Sequence, residues 1–124
     1  MRVKKLLESI GRDVDTVSPD ETVYDALALM AKKEIGALVV VEKGKLVGIL
    51  SERDYARKVI LKGKSSKKTR VREIMTSDVI HVGPDHKVGK CLSLMTKKRI
   101  RHLPVLDRER LVGLLTIEEI KGKM

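Results

Sequence analysis

The chain has 124 residues, 42% hydrophobic and 35% charged, enough for one compact domain or two very small halves sharing a core, which excludes a large multidomain enzyme. Twenty-seven Lys and Arg against seventeen Asp and Glu give a net charge of +10, which favours phosphate-bearing partners, whether nucleotide, nucleic acid or anionic lipid. No apolar run approaches the ~18–20 residues of a bilayer span, and two Tyr with no Phe or Trp exclude the aromatic platforms on which single-stranded nucleic acid stacks.

Met1 to Ser9 is predicted to form a short helix that stops near Gly11. Its Lys, Arg and Glu alternate with Leu and Val, unlike the apolar block of a signal peptide, so a cytoplasmic location is expected. From Val14 the chain repeats itself at a displacement of 65, without a gap: Val14, Val17, Pro19, Asp20 and Val23 recur as Val79, Val82, Pro84, Asp85 and Val88. Leu27, Met30 and Ile35 are likewise answered by Leu92, Met95 and Ile100, and Leu46, Val47, Gly48 and Leu50 by Leu111, Val112, Gly113 and Leu115.

Each copy reads the same way. A short extended stretch (Thr16, Val17; His81, Val82) meets a proline, and apolar residues then fall at helical spacing for about 11 residues. Thr22 with Asp25 offers a capping box to the first of these helices, whereas Lys87 denies it to the second. Two β-branched apolar runs follow, Leu38 to Val41 and Leu46 to Leu50, joined by a tight turn at Glu42 to Lys45. Leu103 to Leu106 and Leu111 to Leu115 repeat them, and Ser51 and Thr116 sit where strand gives way to helix. The predicted organisation is an N-terminal helix and lead-in (1–13), a first repeat (14–61), a basic linker ending in a helical turn (62–75) and a second repeat (76–124). The fold class is α/β (α+β), with two pseudo-symmetric β-α-β-β-α repeats packed through their sheets into one module.

No catalytic or metal-binding constellation is visible. Gly63, Lys64 and Ser65 echo the end of a P-loop, but the glycine this motif needs five residues earlier is Lys58. His81, His86 and His102 lack the i, i+4 spacing of a metalloprotease helix, and Cys91 lies on an apolar helix stripe, where a buried structural thiol is expected. No enzyme is therefore predicted.

Two stretches stand out. Gly48 to Asp54 puts a hydroxyl and a carboxylate at a strand-to-helix junction, where first-turn amides lack partners. Capping boxes, Ser51 with Asp54 and Thr116 with Glu119, account for these residues; so does nucleotide recognition, with a phosphate on the helix N-terminus and ribose hydroxyls on a short carboxylate. The two readings are compatible. Ile100 to Val105 opens an apolar strand with Arg101 and His102, where the first repeat has Gly36 and Ala37; a cation present in only one copy is not required by the fold.

The gap-free repeat, the Gly-x-x-Ser-x-x-Asp stretch at Gly48 to Asp54 and the Arg-His-Leu-Pro-Val segment at Arg101 to Val105 resemble a tandem pair of CBS domains, a Bateman module of the stand-alone kind. The likeness runs from about Val14 to the end. It implies two pseudo-symmetric clefts that take AMP, ADP, ATP, NAD or S-adenosylmethionine, AMP being the expected ligand. The first would use Ser51, Arg53, Asp54, Ile80, His81, Ile100, Arg101, His102 and Pro104. In it Asp54 holds the ribose, Ile80, His81 and Ile100 support the purine, and Arg101 and His102 reach the phosphates. The second would use Asp15, Thr16, Ile35, Gly36, Thr116 and Glu119; it departs from the family pattern in its longer Glu119 and its missing cation, and is expected to bind weakly. The resemblance also implies a regulatory homodimer acting on a separate protein partner, without a membrane. Nucleic acid on Lys62 to Arg72 and Lys97 to Arg101, or a ligand-free dimerisation scaffold, are the competing readings.

Overall fold

Val3, Leu6, Leu7 and Ile10 fall on one face of a helix, α1 (Val3–Ile10), which Gly11 ends in the left-handed conformation at φ 64°. The computed structural model describes residues 1–11 and 13–123. The first repeat contains β1 (Thr16–Val17), α2 (Val23–Lys33), β2 (Ala37–Glu42), β3 (Lys45–Ser51) and α3 (Glu52–Tyr55), which runs on into a wider π-type turn over Ala56–Ile60. After it come α4 (Val71–Ile74), α5 (Val88–Lys98), β4 (His102–Asp107), β5 (Arg110–Thr116) and α6 (Ile117–Lys121). Helices α2 and α5 each have 11 residues; the Thr22 hydroxyl caps α2 by accepting from the Asp25 amide at 3.1 Å, and Lys87 gives α5 no such cap.

These elements form two compact units, Asp15–Val79 and Met1–Val14 with Ile80–Met124. In the first, β1 runs parallel to β2 and β2 antiparallel to β3. Val23, Ala26 and Met30 of α2 bury against Leu38, Val40 and Leu50 of the sheet, a core completed by Val59, Val71 and Ile74. In the second unit Val88, Cys91 and Met95 of α5 bury against Leu103, Val105 and Leu115, joined by Val3 and Leu6 from α1.

The leading strand survives in only one repeat. Where β1 pairs Thr16 with Val39, the second repeat has a single parallel bridge, Val82 to Val105. Pro104 stands at the position of Val39, and its missing N–H removes the donor that would extend the ladder.

Backbone detail repeats as well. Both hairpins turn on two left-handed residues, Lys43 and Gly44 at φ 52° and 77°, Arg108 and Glu109 at 52° and 70°. Both carry a bulge at the same place, leaving Val47 and Val112 outside the register.

The lead-in segments belong to the repeat too, each completing the other unit. The Val3 and Lys4 amides donate to the carbonyls of His86 and Pro84 at 2.8 and 2.9 Å, and the Val71 and Arg72 amides to those of Glu21 and Pro19, both at 2.9 Å. Val3 and Val71 stand 68 residues apart, so this correspondence is out of step with the 65-residue repeat. The basic segment before α4 is anchored rather than loose: the Tyr24 and Val23 amides donate to Ser66 and Thr69 carbonyls at 2.9 Å, Thr69 is buried, and the Lys67 ammonium lies 4.9 Å from the Tyr24 ring centroid.

Candidate functional site

β3 delivers Ser51 in extended conformation at the start of α3, and a reciprocal capping box closes over the junction. The Ser51 hydroxyl accepts from the Asp54 amide, and Asp54 Oδ2 accepts from both the Ser51 amide and its hydroxyl, all at 3.1 Å. The other oxygen, Oδ1, accepts from the Thr76 hydroxyl at 3.2 Å and pairs with Lys58 Nζ at 3.1 Å. Lys58 also donates to the Ile74 carbonyl at 2.9 Å. Asp54 is 8% exposed and is the one buried carboxylate among the described residues. Burying it requires these partners, because an uncompensated carboxylate costs several kcal/mol, on the order of the penalty for any buried ion. Asp54 thus combines a complete structural cap with a second oxygen held by the Thr76 hydroxyl and the Lys58 ammonium.

Thr76 and Lys58 escaped the sequence reading. Lys58 had a usable signal, its i, i+4 spacing from Asp54; Thr76 lies 22 residues away and had none. Arg53 stands exposed on α3 beside this cap.

The second unit repeats the junction. The Thr116 hydroxyl accepts from the Glu119 amide at 3.1 Å, and Glu119 Oε1 accepts from the Thr116 amide and hydroxyl at 3.0 Å. The extra methylene of Glu119 therefore does not prevent the capping box. The Ile117 amide donates to the Arg101 carbonyl at 3.0 Å, as the Glu52 amide does to the Gly36 carbonyl at 3.0 Å. This bond fixes the loop before each hairpin against the helix that follows it. From there the exposed Arg101 guanidinium ion-pairs with Glu118 in the first turn of α6. A hydrogen bond from its own backbone N–H, aided by Arg101, holds the Glu118 carboxyl below its ordinary value.

Of the other residues named from sequence, His102 opens β4 half-buried and directly across the ladder from Thr116. His81 is exposed and Pro104 buried. Ile80 and Ile100 pack half-buried against the core of their unit. Ile100 and Ile35 also terminate helices, their amides donating to the Met95 and Met30 carbonyls at 3.0 Å past left-handed Arg99 and Glu34. Asp15 pairs with Lys33 at 3.8 Å and Thr16 is exposed in β1. Ile35 and Gly36 instead line a groove of about 430 Å³ with Leu27, Met30 and Tyr55. The structure therefore gathers Ser51, Arg53 and Asp54 with Asp15, Thr16, Ile35 and Gly36 in one unit, and the remaining named residues in the other. Burial pushes the Cys91 thiol up, as for a structural cysteine. No helix among the described residues is long and apolar enough to cross a membrane.

Comparison with known proteins decides the family. The CBS domain profile matches residues 3–61 and 71–124, one match for each repeat with its lead-in. The chain belongs to the CBS-domain family. It is 41% identical over 127 residues to the mitochondrial CBS-domain protein CBSX3 of Arabidopsis thaliana, aligning over 95% of its own length and 62% of the plant protein's. Among solved structures, a CBS-domain protein of Burkholderia ambifaria is 48% identical with a TM-score of 0.95, over 99% of this chain and 93% of that one. The CBS-domain pair of MJ0100, solved with 5′-methylthioadenosine and S-adenosyl-L-methionine, is 32% identical with a TM-score of 0.87, over 100% and 98%. The α+β repeats of this chain are thus two CBS domains.

Proposed function

We propose that this CBS pair is a cytoplasmic regulatory module that binds an adenosine-containing ligand, AMP-like, and carries out no chemistry on it. The observation that carries this reading is the buried Asp54 carboxylate at a strand-to-helix junction, in a chain whose relative MJ0100 holds two adenosine compounds. Ribose hydroxyls are donors of the same kind as the Thr76 hydroxyl and can take its place on Oδ1. Ser51 and Arg53 flank the ribose, Ile80, His81, Ile100 and Pro104 receive the purine, and Arg101 and His102 meet the phosphates. Arg101 suits that task because its planar fork matches a phosphate edge. A second, weaker site comprises Asp15, Thr16, Ile35, Gly36, Thr116 and Glu119, whose first four members supply no cation to a phosphate. The ligand acts by altering a homodimer, whose contact draws on exposed apolar residues such as Tyr24, Ile60 and Leu61, or the docking of a separate protein.

The exposed Lys62, Lys64, Lys67 and Lys68 favour a second reading, nucleic-acid binding. Isothermal titration with AMP, ATP, NAD and S-adenosylmethionine, after removal of co-purified ligand, separates the two. The expected result is saturable binding of an adenosine compound that changes little between low and moderate salt. Absence of heat with all four ligands overturns the reading, and steeply salt-dependent binding of an oligonucleotide would replace it.

A further inference from the structure

The Arg101–Glu118 pair has no counterpart in the first repeat. The equivalent positions are Gly36 and Arg53, where the loop carries no cation and the helix carries one instead of an acid. The pair is not a structural requirement of the repeat. The Arg101 loop is fixed by its carbonyl, which accepts the Ile117 amide, and the capping acid of α6 is Glu119. With side chains 56% and 62% exposed, the two partners gain little from each other. A phosphate offers the guanidinium a bidentate edge and more charge than a carboxylate.

We infer that Glu118 is a specificity-determining residue: it occupies Arg101 in the absence of ligand, so a phosphate-bearing nucleotide must displace a carboxylate that an uncharged nucleoside need not disturb. Glu118 thereby weakens phosphate-bearing ligands selectively and leaves the nucleoside part of recognition unchanged. The inference rests on the adenosine-ligand reading above.

Titration of AMP and adenosine into the wild-type chain, Glu118→Gln, Arg101→Ala and the double variant tests it. Glu109→Gln, the same charge change in the β4–β5 turn, is the control for long-range charge. Glu118→Gln is expected to tighten AMP about two- to fivefold, within the range open to an exposed pair, with adenosine unchanged. The gain should vanish in the Arg101→Ala background and be absent in Glu109→Gln. Unchanged AMP affinity in Glu118→Gln overturns the inference while leaving the ligand reading intact, and so does a gain that persists without Arg101. If neither ligand binds any of the proteins, the ligand reading itself falls and this inference with it.

Discussion

Asp54 carries two demands on one side chain, and its two oxygens divide them. Oδ2 belongs to the cap of α3, whereas Oδ1 faces Thr76 and Lys58. Removing the carboxylate costs the cap and also the two contacts of Oδ1, leaving Lys58 with the Ile74 carbonyl alone, so Asp54→Ala should destabilise by about 2 kcal/mol, above the ~1 kcal/mol typical of a cap alone. Asp54→Asn, which keeps an acceptor and the packing, should cost less. Urea unfolding checks both, and a loss under about 0.5 kcal/mol in Asp54→Ala would show the network to be idle. Its sequence signature, Ser51 with Asp54, is local and readable; its partners across the chain are not. The hairpin turns make a second comparison at this scale. Glu109 holds φ 70° where the first repeat has Gly44 at 77°, and a side chain at Gly44 would meet nothing within 4 Å. Glu109→Gly should therefore stabilise by about 0.5–1 kcal/mol and Gly44→Ala destabilise by a similar amount. Thermal denaturation reads both, and shifts of the same sign would refute the turn assignment.

Among the elements, the lead-in segments matter most, because each packs where the sheet leaves room. Met75 covers Gly48 and Leu7 covers Gly113: a Cβ on Gly48 would lie 2.6 Å from Met75 Sδ and 3.0 Å from the Thr76 carbonyl, and one on Gly113 2.5 Å from Leu7 Cδ2. The Thr76 carbonyl accepts from the Ile49 amide and cannot retreat freely. Gly48→Ala should cost about 1–3 kcal/mol and Gly113→Ala less, since the Leu7 side chain opposes it without any backbone atom. Equal effects in equilibrium unfolding would contradict this difference in what each glycine touches. The helices and hairpins were legible because their periodicities are local. The lead-ins are legible as helices, but their membership in the repeat is not, because their correspondence is displaced by three residues, from 65 to 68, and their partners are distant in the chain, as for Val71 with Glu21, 50 residues apart, and Val3 with His86, 83 residues apart. The loss of β1 from the second repeat was equally hidden, although its cause, Pro104, stood in the sequence.

For the whole molecule, the repetition is close in backbone and unequal in chemistry. Both copies keep the capping box, the bulge and the left-handed turn, yet only one has a buried Asp with Lys58 and Thr76, and only the other has Arg101 with Glu118. Shared features are those the fold needs; of the unshared ones, Asp54 and Arg101 are named from sequence, whereas Lys58, Thr76 and Glu118 come only from the structure. A net charge of +10 draws phosphate to the chain without choosing a ligand. The most direct test follows backbone amide resonances in two-dimensional ¹H–¹⁵N spectra while AMP is added. Saturable shifts are predicted at Ser51 to Asp54 and at Arg101 and His102, with one common affinity. Shifts confined to Lys62 to Arg70, or none at all, would contradict this site assignment.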